Sequence, residues 1–217
     1  FTFCVDGIAD MVSGITVDNT STMGTNSTWV ITDDQGNILG LPPSLEALEG
    51  VNFDDAGAGV CLIWYLRYEE GLGMNANNLQ GTFDLSNSLQ VTRNKTNAGV
   101  LSGGPFEFIV DGNPDMVSGI SVDDTDASGT NNTWVITDEE GNILGLPPTL
   151  TDVEGVNFDG AGAGVCLIWN LRYEDGLVGA EVGMNANNLE GCFSLSNAIT
   201  VNRIQGANAG EIAGGPF

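Results

Sequence analysis

Most side chains able to do chemistry in this 217-residue chain are carboxylates: 29 Asp and Glu stand against 5 Lys and Arg, with no His and four Cys. Acids recurring at matched positions fall in turns rich in Gly and Asn. "VDGIAD" sets Asp6 and Asp10 around a Gly turn, "VDGNPD" sets Asp111 and Asp115 in the same way, and "VNFDDAG" and "VNFDGAG" add Asp54 and Asp159. Ca2+ takes about six to eight oxygens from carboxylates, carbonyls and water, so these six acids are the candidate calcium ligands. Turn chemistry is the competing reading, because Asp and Asn stabilise turns through their own backbone. No EF-hand string and no repeated GGxGxD nonapeptide accompanies them.

Without His, imidazole acid–base steps, Ser–His or Cys–His nucleophile activation and His-ligated metals are excluded. A glycosidase-like carboxylate pair is what remains, and no acid stands in such a motif. The Gly-rich "DGAGAGV" (159–165) lacks the Lys and the following helix of a phosphate loop. The chain therefore reads as non-enzymatic, with Ca2+ as its one candidate cofactor. A net charge of −24 opposes binding to nucleic acid or anionic membranes. No apolar run approaches the roughly eighteen residues of a membrane span.

The cysteines sit two to a sequence repeat. Cys61 and Cys166 share the context "GVCLIW", while Cys4 occurs only in the first copy and Cys192 only in the second. The economical reading bridges Cys4 to Cys61 and Cys166 to Cys192, adding roughly 2–4 kcal/mol to each module in an oxidising, extracellular setting. The alternative is that they are buried free thiols acting as small hydrophobes.

The elements that must position these groups come in duplicate. Shifting the chain so that Phe1 lies on Phe106 aligns "NSTWVITDDQGNILGLPP" (26–43) with "NNTWVITDEEGNILGLPP" (131–148), and "VNFDDAGAGVCLIWYLRYEEGL" (51–72) with "VNFDGAGAGVCLIWNLRYEDGL" (156–177). The second copy inserts Val178–Val182, and the match resumes in "GMNANNL" (73–79 and 183–189). Two tandem modules are expected, 1–104 and 105–217. Both copies close on "GGPF" and the chain opens on Phe1 without an initiator Met, so a piece of a longer array is expected.

Within each copy, "TWVIT" and "ILGL" flank a Gly-bearing turn and read as a hairpin. "VCLIWYLRY" is apolar on both faces and reads as a central, covered strand, while "PPSLEALEG" allows one or two helical turns. Trp29, Ile31, Phe53, Leu62, Trp64 and Leu66 are the candidate core. Arg67 and Arg172, inside that strand, are expected to pair with local acids. Short strands at this spacing predict an all-β fold: two immunoglobulin-like antiparallel β-sandwich modules arranged end to end.

"GGPFEFIVDGNPDMVSGI", "TWVITDEEGNILGLPP", "VNFDGAGAGVCLIWNLRYEDGL" and "GCFSLSNAITVNR" together resemble the tandem modules of giant type IX-secreted surface adhesins and filaments of gliding and predatory marine Bacteroidota. The resemblance implies export to the cell surface and a stalk serving attachment, gliding or prey capture. Its partners would be neighbouring repeats and further copies of the chain in a bundle or filament. The reading from a different class is a lectin-like module binding surface glycans through the Asn-rich "GMNANNL" loop.

Overall fold

The computed structural model describes all residues except 21, 76, 77, 208, 209, 211, 212 and 214–217, with the backbone alone at 74, 75 and 78. The chain is all-β, in two compact units, Phe1–Lys95 and Thr96–Phe217. The first holds β1 (Thr2–Cys4), β2 (Asn26–Asp33), β3 (Ile38–Gly40), α1 (Leu45–Glu49), β4 (Gly59–Tyr68), β5 (Gly73–Asn75), β6 (Asn78–Gln80), β7 (Phe83–Leu85) and β8 (Leu89–Asn94). The second holds β9 (Val100–Ser102), β10 (Phe106–Val110), β11 (Ser121–Asp123), β12 (Asn131–Thr137), β13 (Ile143–Gly145), α2 (Leu150–Glu154), β14 (Gly164–Tyr173), β15 (Phe193–Leu195) and β16 (Ile199–Gln205).

Each unit is built on one main sheet of the same order, β1-β8-β4-β2-β3 and β10-β16-β14-β12-β13, with β7 or β15 added to the end of the central strand. The edge strands depart from the antiparallel expectation: β1 runs parallel to β8, and β10 parallel to β16. Period-2 alternation along the central strand feeds both faces of the sheet. In β4, Cys61 and Ile63 enter the core on one face, and Leu62, Trp64 and Leu66 point to the other. Trp29, Ile31, Phe53 and Leu66 are buried as expected; Leu62 and Trp64 are half-buried.

The second layer is mostly irregular chain. In the first unit Val12 and Ile15 from the coil after β1, Leu48 from α1 and Phe53 close one face of the sheet. Val117, Ile120, Val153 and Phe158 repeat this in the second unit, where Leu101 of β9 joins them. Each large side chain fully buried here contributes about 1.5–3 kcal/mol. Ser44 caps α1 by accepting from the Ala47 amide, and Thr149 with Asp152 forms a capping box on α2. The hairpin turns place Gly36 and Gly141 at φ 83° and 85°, a region that favours Gly.

The boundary between units lies before Thr96, not at Pro105 as the sequence repeat suggests. The reason is β9, which pairs antiparallel with β11 and buries Ala98 and Leu101 within the second unit.

Candidate functional site

The six acids proposed for calcium form two matching corners. In the first unit the amides of Asp6 and Gly7 donate to Asp54 Oδ1 at 2.9 and 3.4 Å, and Asn52 Oδ1 accepts from the amides of Asp10 and Asp54 at 3.0 and 3.1 Å. In the second, Asp159 Oδ1 accepts from Asp111 and Gly112 at 2.8 and 3.1 Å, and Asn157 Oδ1 accepts from Asp115 and Asp159 at 2.9 and 3.1 Å. Asp6 and Asp111 each accept from the amide two residues on. Asp10 and Asp115 return their carbonyls to the amides of Phe53 and Phe158 at 2.8 Å. These bonds staple the turn after the edge strand to the short 3-10 turn before the central one, so much of the acidic pattern is turn chemistry. Asn52 and Asn157, the hubs of both corners, were not among the expected site residues; the repeated "VNFD" was their signal.

Each corner gathers three carboxylates, and their proximity has an electrostatic effect. Burial, followed by Asp6 and Asp54, pushes the Asp10 carboxyl above its ordinary value. Burial, followed by Asp159 and Asp111, does the same to Asp115. Asp115 Oδ2 is buried with no hydrogen-bond partner. Among the described residues no three acids or cysteines converge as a ligand set for a metal ion. Elsewhere the acids serve turns directly. Asp33 and Asp138 accept from Asn37 and Asn142 through both side-chain amide and backbone, which holds their carboxyls below the usual range.

The cysteine pairing corrects the expectation. Cys61 and Cys166 are buried free thiols, and Cys4 and Cys192 are the disulfide-bonded ones. The topology explains why the expected bridges fail. β8 lies between Cys4 on β1 and Cys61 on β4, two strand spacings or roughly 10 Å, beyond disulfide reach. Cys192 sits opposite the far end of β14, its carbonyl accepting from Glu174, whereas Cys166 lies near that strand's start, about 25 Å away along the strand. Burial raises the thiol pKa of both Cys61 and Cys166.

The arginines divide. Arg172 Nη2 meets Asp124 Oδ1 at 3.2 Å, the expected ion pair, whereas Arg67 donates to the carbonyls of Met23 and Gly24. Two arginines unmarked in the sequence, Arg93 and Arg203, are buried beside the free cysteines and donate to the Gly57 and Gly162 carbonyls. Gly59 and Gly164 leave room for them, since a Cβ at either would press on the guanidinium.

The Asn-rich loop of the second unit is structural. Ala186 and Leu189 are buried with Val135, Ile143 and Leu171 on the outer face of the sheet. Asn185 donates to the Glu140 carbonyl and to Asn142 Oδ1 while accepting from the Asn187 amide. In the first unit the same sequence falls on the β5–β6 hairpin, and its residues 76 and 77 lie outside those described. No described helix is long and apolar enough to cross a membrane. The first unit also carries an open cleft of about 450 Å³, between Ile15–Asp18 and the β4, β7 and β8 side of the sheet. No protein-family model and no curated protein matches the chain.

Proposed function

We propose that the chain is a segment of an extracellular stalk or filament, a non-catalytic tandem array that carries a surface adhesin away from the cell for attachment, gliding or prey capture. The observation that carries this reading is the placement of Thr96–Gly104. This stretch ends the first sequence repeat, yet its Ala98 and Leu101 are core residues of the second unit. Residues 95–99 alone connect β8 to β9, so consecutive modules follow one another without a free linker. A cystine suits the oxidising exterior in which such a stalk would work. The resemblance to giant type IX-secreted repeat proteins of Bacteroidota points the same way. Ca2+ at the two acidic corners belongs to the proposal as a screen for their crowded carboxylates.

The glycan-binding reading receives less support. The described Asn-rich loop spends Asn185 on the β12–β13 turn and Ala186 and Leu189 on the core.

Pulling the chain by its ends in reductant, so that no cystine shortens the path, tests the stalk. Two discrete unfolding events are expected, each releasing on the order of 300–400 Å of chain. Gradual extension without discrete events would sink the mechanical reading, and saturable binding on a glycan array would replace it with the lectin one.

A further inference from the structure

In each main sheet the first strand in chain order lies directly against the last and runs parallel to it. β10 pairs with β16 from Phe106 opposite Val201 to Val110 opposite Gln205, and β1 pairs with β8 from Thr2 opposite Thr92 to Cys4 opposite Asn94. The pairing runs past the strand ends. The Gly206 amide donates to the Val110 carbonyl at 3.1 Å, the Thr92 amide to the Phe1 carbonyl at 3.0 Å, and the Val5 amide to the Asn94 carbonyl at 2.7 Å. Since Gly206 donates to Val110, the amides of Phe108 and Val110 face β16 and those of Glu107 and Ile109 face away.

This geometry decides how tension acts. The chain enters the pair at the start of β10 and leaves it at the end of β16, so pulling on both slides one strand along the other. Evenly spaced bonds lying across the pull are then loaded together. An antiparallel pair would be entered and left at the same end, and its bonds would open one at a time. Sliding β10 also drags Phe106 and Phe108 through the core, where the Phe108 ring lies 6.4 Å from that of Phe158. Directly after the strand, Asp159 Oδ1 holds the amides of Asp111 and Gly112. Phe3, 6.3 Å from Phe53, and the Asp6 and Gly7 amides on Asp54 repeat this in the first unit. β16 is secured on its other side by antiparallel pairing with β14, so β10 is the strand that yields.

We propose that the parallel pair is the load-bearing clamp of each unit, β1 on β8 and β10 on β16, with the acidic corner as the anchor at its far end. The inference rests on the stalk reading for its purpose, while the strand geometry stands without it. Asp54 and Asp159 thereby gain a mechanical role: each ties the residues just beyond the clamped strand to the turn before the central strand, and so resists the same sliding motion. In the second unit load reaches β10 through Thr96–Gly104. That stretch is anchored by the Asn97–Ser128 amide pair, the Asn170 bond to the Ala98 carbonyl and the two Asn197 bonds to Leu101. These anchors are met one after another, so the stretch comes away as a short precursor of roughly 30 Å before the clamp is loaded.

Single-molecule pulling of the full chain in two directions tests the proposal, in a Cys4→Ser, Cys192→Ser background so that no cystine shortens the path. Pulled from its ends, the second unit is sheared. Pulled between the C-terminus and a handle on Asn113→Cys, in the exposed turn after β10, it is loaded at the same end of both strands. The second direction peels β16 residue by residue and should unfold the unit at no more than about half the force of the first. Val110→Pro, which removes one clamp bond of about five, should lower the end-to-end peak by about a fifth. Ile109→Pro, whose lost amide faces away from β16, should leave it unchanged. Asp159→Ala should lower the same peak and Asp159→Asn, which keeps Oδ1, should restore it. Discrete unfolding at one force in both directions, or equal peaks for the two proline variants, would overturn the clamp and leave the stalk standing. Lower peaks for neither Asp159 variant would remove the corner from the clamp, and end-to-end extension without discrete events would end both readings.

Discussion

Asn197 grips the backbone of Leu101 in both directions: its Oδ1 accepts from the Leu101 amide at 2.7 Å, and its Nδ2 donates to the Leu101 carbonyl at 3.0 Å. One amide side chain thereby ties the end of the first sequence repeat into the fold of the second unit. Asn197→Ala is expected to cost the second unit about 1–3 kcal/mol, from two lost bonds and partly desolvated backbone groups. Leu101→Ala, which leaves a hole beside Trp134 and Ile199, should cost about 2–5 kcal/mol. Urea unfolding followed by amide exchange would read both, and neither change should alter protection in residues 1–95.

The two-stranded β9–β11 sheet depends on close approach. Gly103 has φ +114°, and a Cβ there would meet the Gly119 carbonyl and Ile120 Cα. Gly103→Ala should therefore cost roughly 2–3 kcal/mol through left-handed strain and displacement of β11. The control is Gly112→Ala, where φ is +90° but nothing lies within 4 Å of the added carbon, so only the strain is felt. If the two variants melt together, contact with β11 contributes nothing beyond backbone conformation.

Some of this architecture was legible in the residues. The Gly36 hairpin, the two-faced strand around Cys61 and the short α1 follow from turn chemistry, alternation and capping, which are local. Neighbour relations across the sheet are not local. Alternation tells which face a residue takes and is silent on which strand lies beside it, so the parallel placement of β1 against β8 and the cystine partners were out of reach. The module boundary was hidden for another reason: similarity between copies fixes the period of an array but not its phase. The phase is set by whichever unit buries Thr96–Gly104. The "GMNANNL" sequence shows a third limit. It falls on the β5–β6 hairpin in one unit and on a 3-10 turn in the other, downstream of the inserted Val178–Val182.

Cys61 and Cys166 sit in the core with thiol pKa values raised by burial, so thiolate is scarce and access is closed. The native protein should resist a thiol-disulfide reagent at neutral pH. Denaturation without reductant should then release two reactive thiols per chain, and prior reduction four. Peptide mass mapping after alkylation would identify the early pair. Labelling of Cys4 or Cys192 without reductant would contradict the assignment.

The hairpin aspartates and the corner aspartates respond to pH with opposite signs. Side-chain bonds from Asn37 and Asn142 depress the folded pKa of Asp33 and Asp138, so their contribution is present above the unfolded carboxylate value and is lost as pH falls through the depressed one. Their stabilisation of the turn should survive mild acid and vanish only in strong acid. Asp33→Asn or Asp138→Asn should remove that part of the acid transition and lower the melting temperature at neutral pH.

Asp115 behaves in the reverse sense. Burial and the charges of Asp159 and Asp111 raise its folded pKa, so the protonated form favours the fold and that stability is lost as pH rises through the raised value. At neutral pH its carboxylate, with Oδ2 buried and unpartnered, opposes folding. Asp115→Asn should therefore raise the melting temperature in chelator at neutral pH, and the gain should disappear in acid where the wild-type carboxyl is protonated. The proposed Ca2+ would act on the same charge: replacing chelator with Ca2+ should then raise the wild type towards the variant and leave the variant nearly unmoved. Calorimetry of both proteins in the two buffers separates the effects. A wild type indifferent to calcium would remove the ion from these corners and leave only the repulsion, while a variant that melts lower than the wild type in chelator would contradict the repulsion itself.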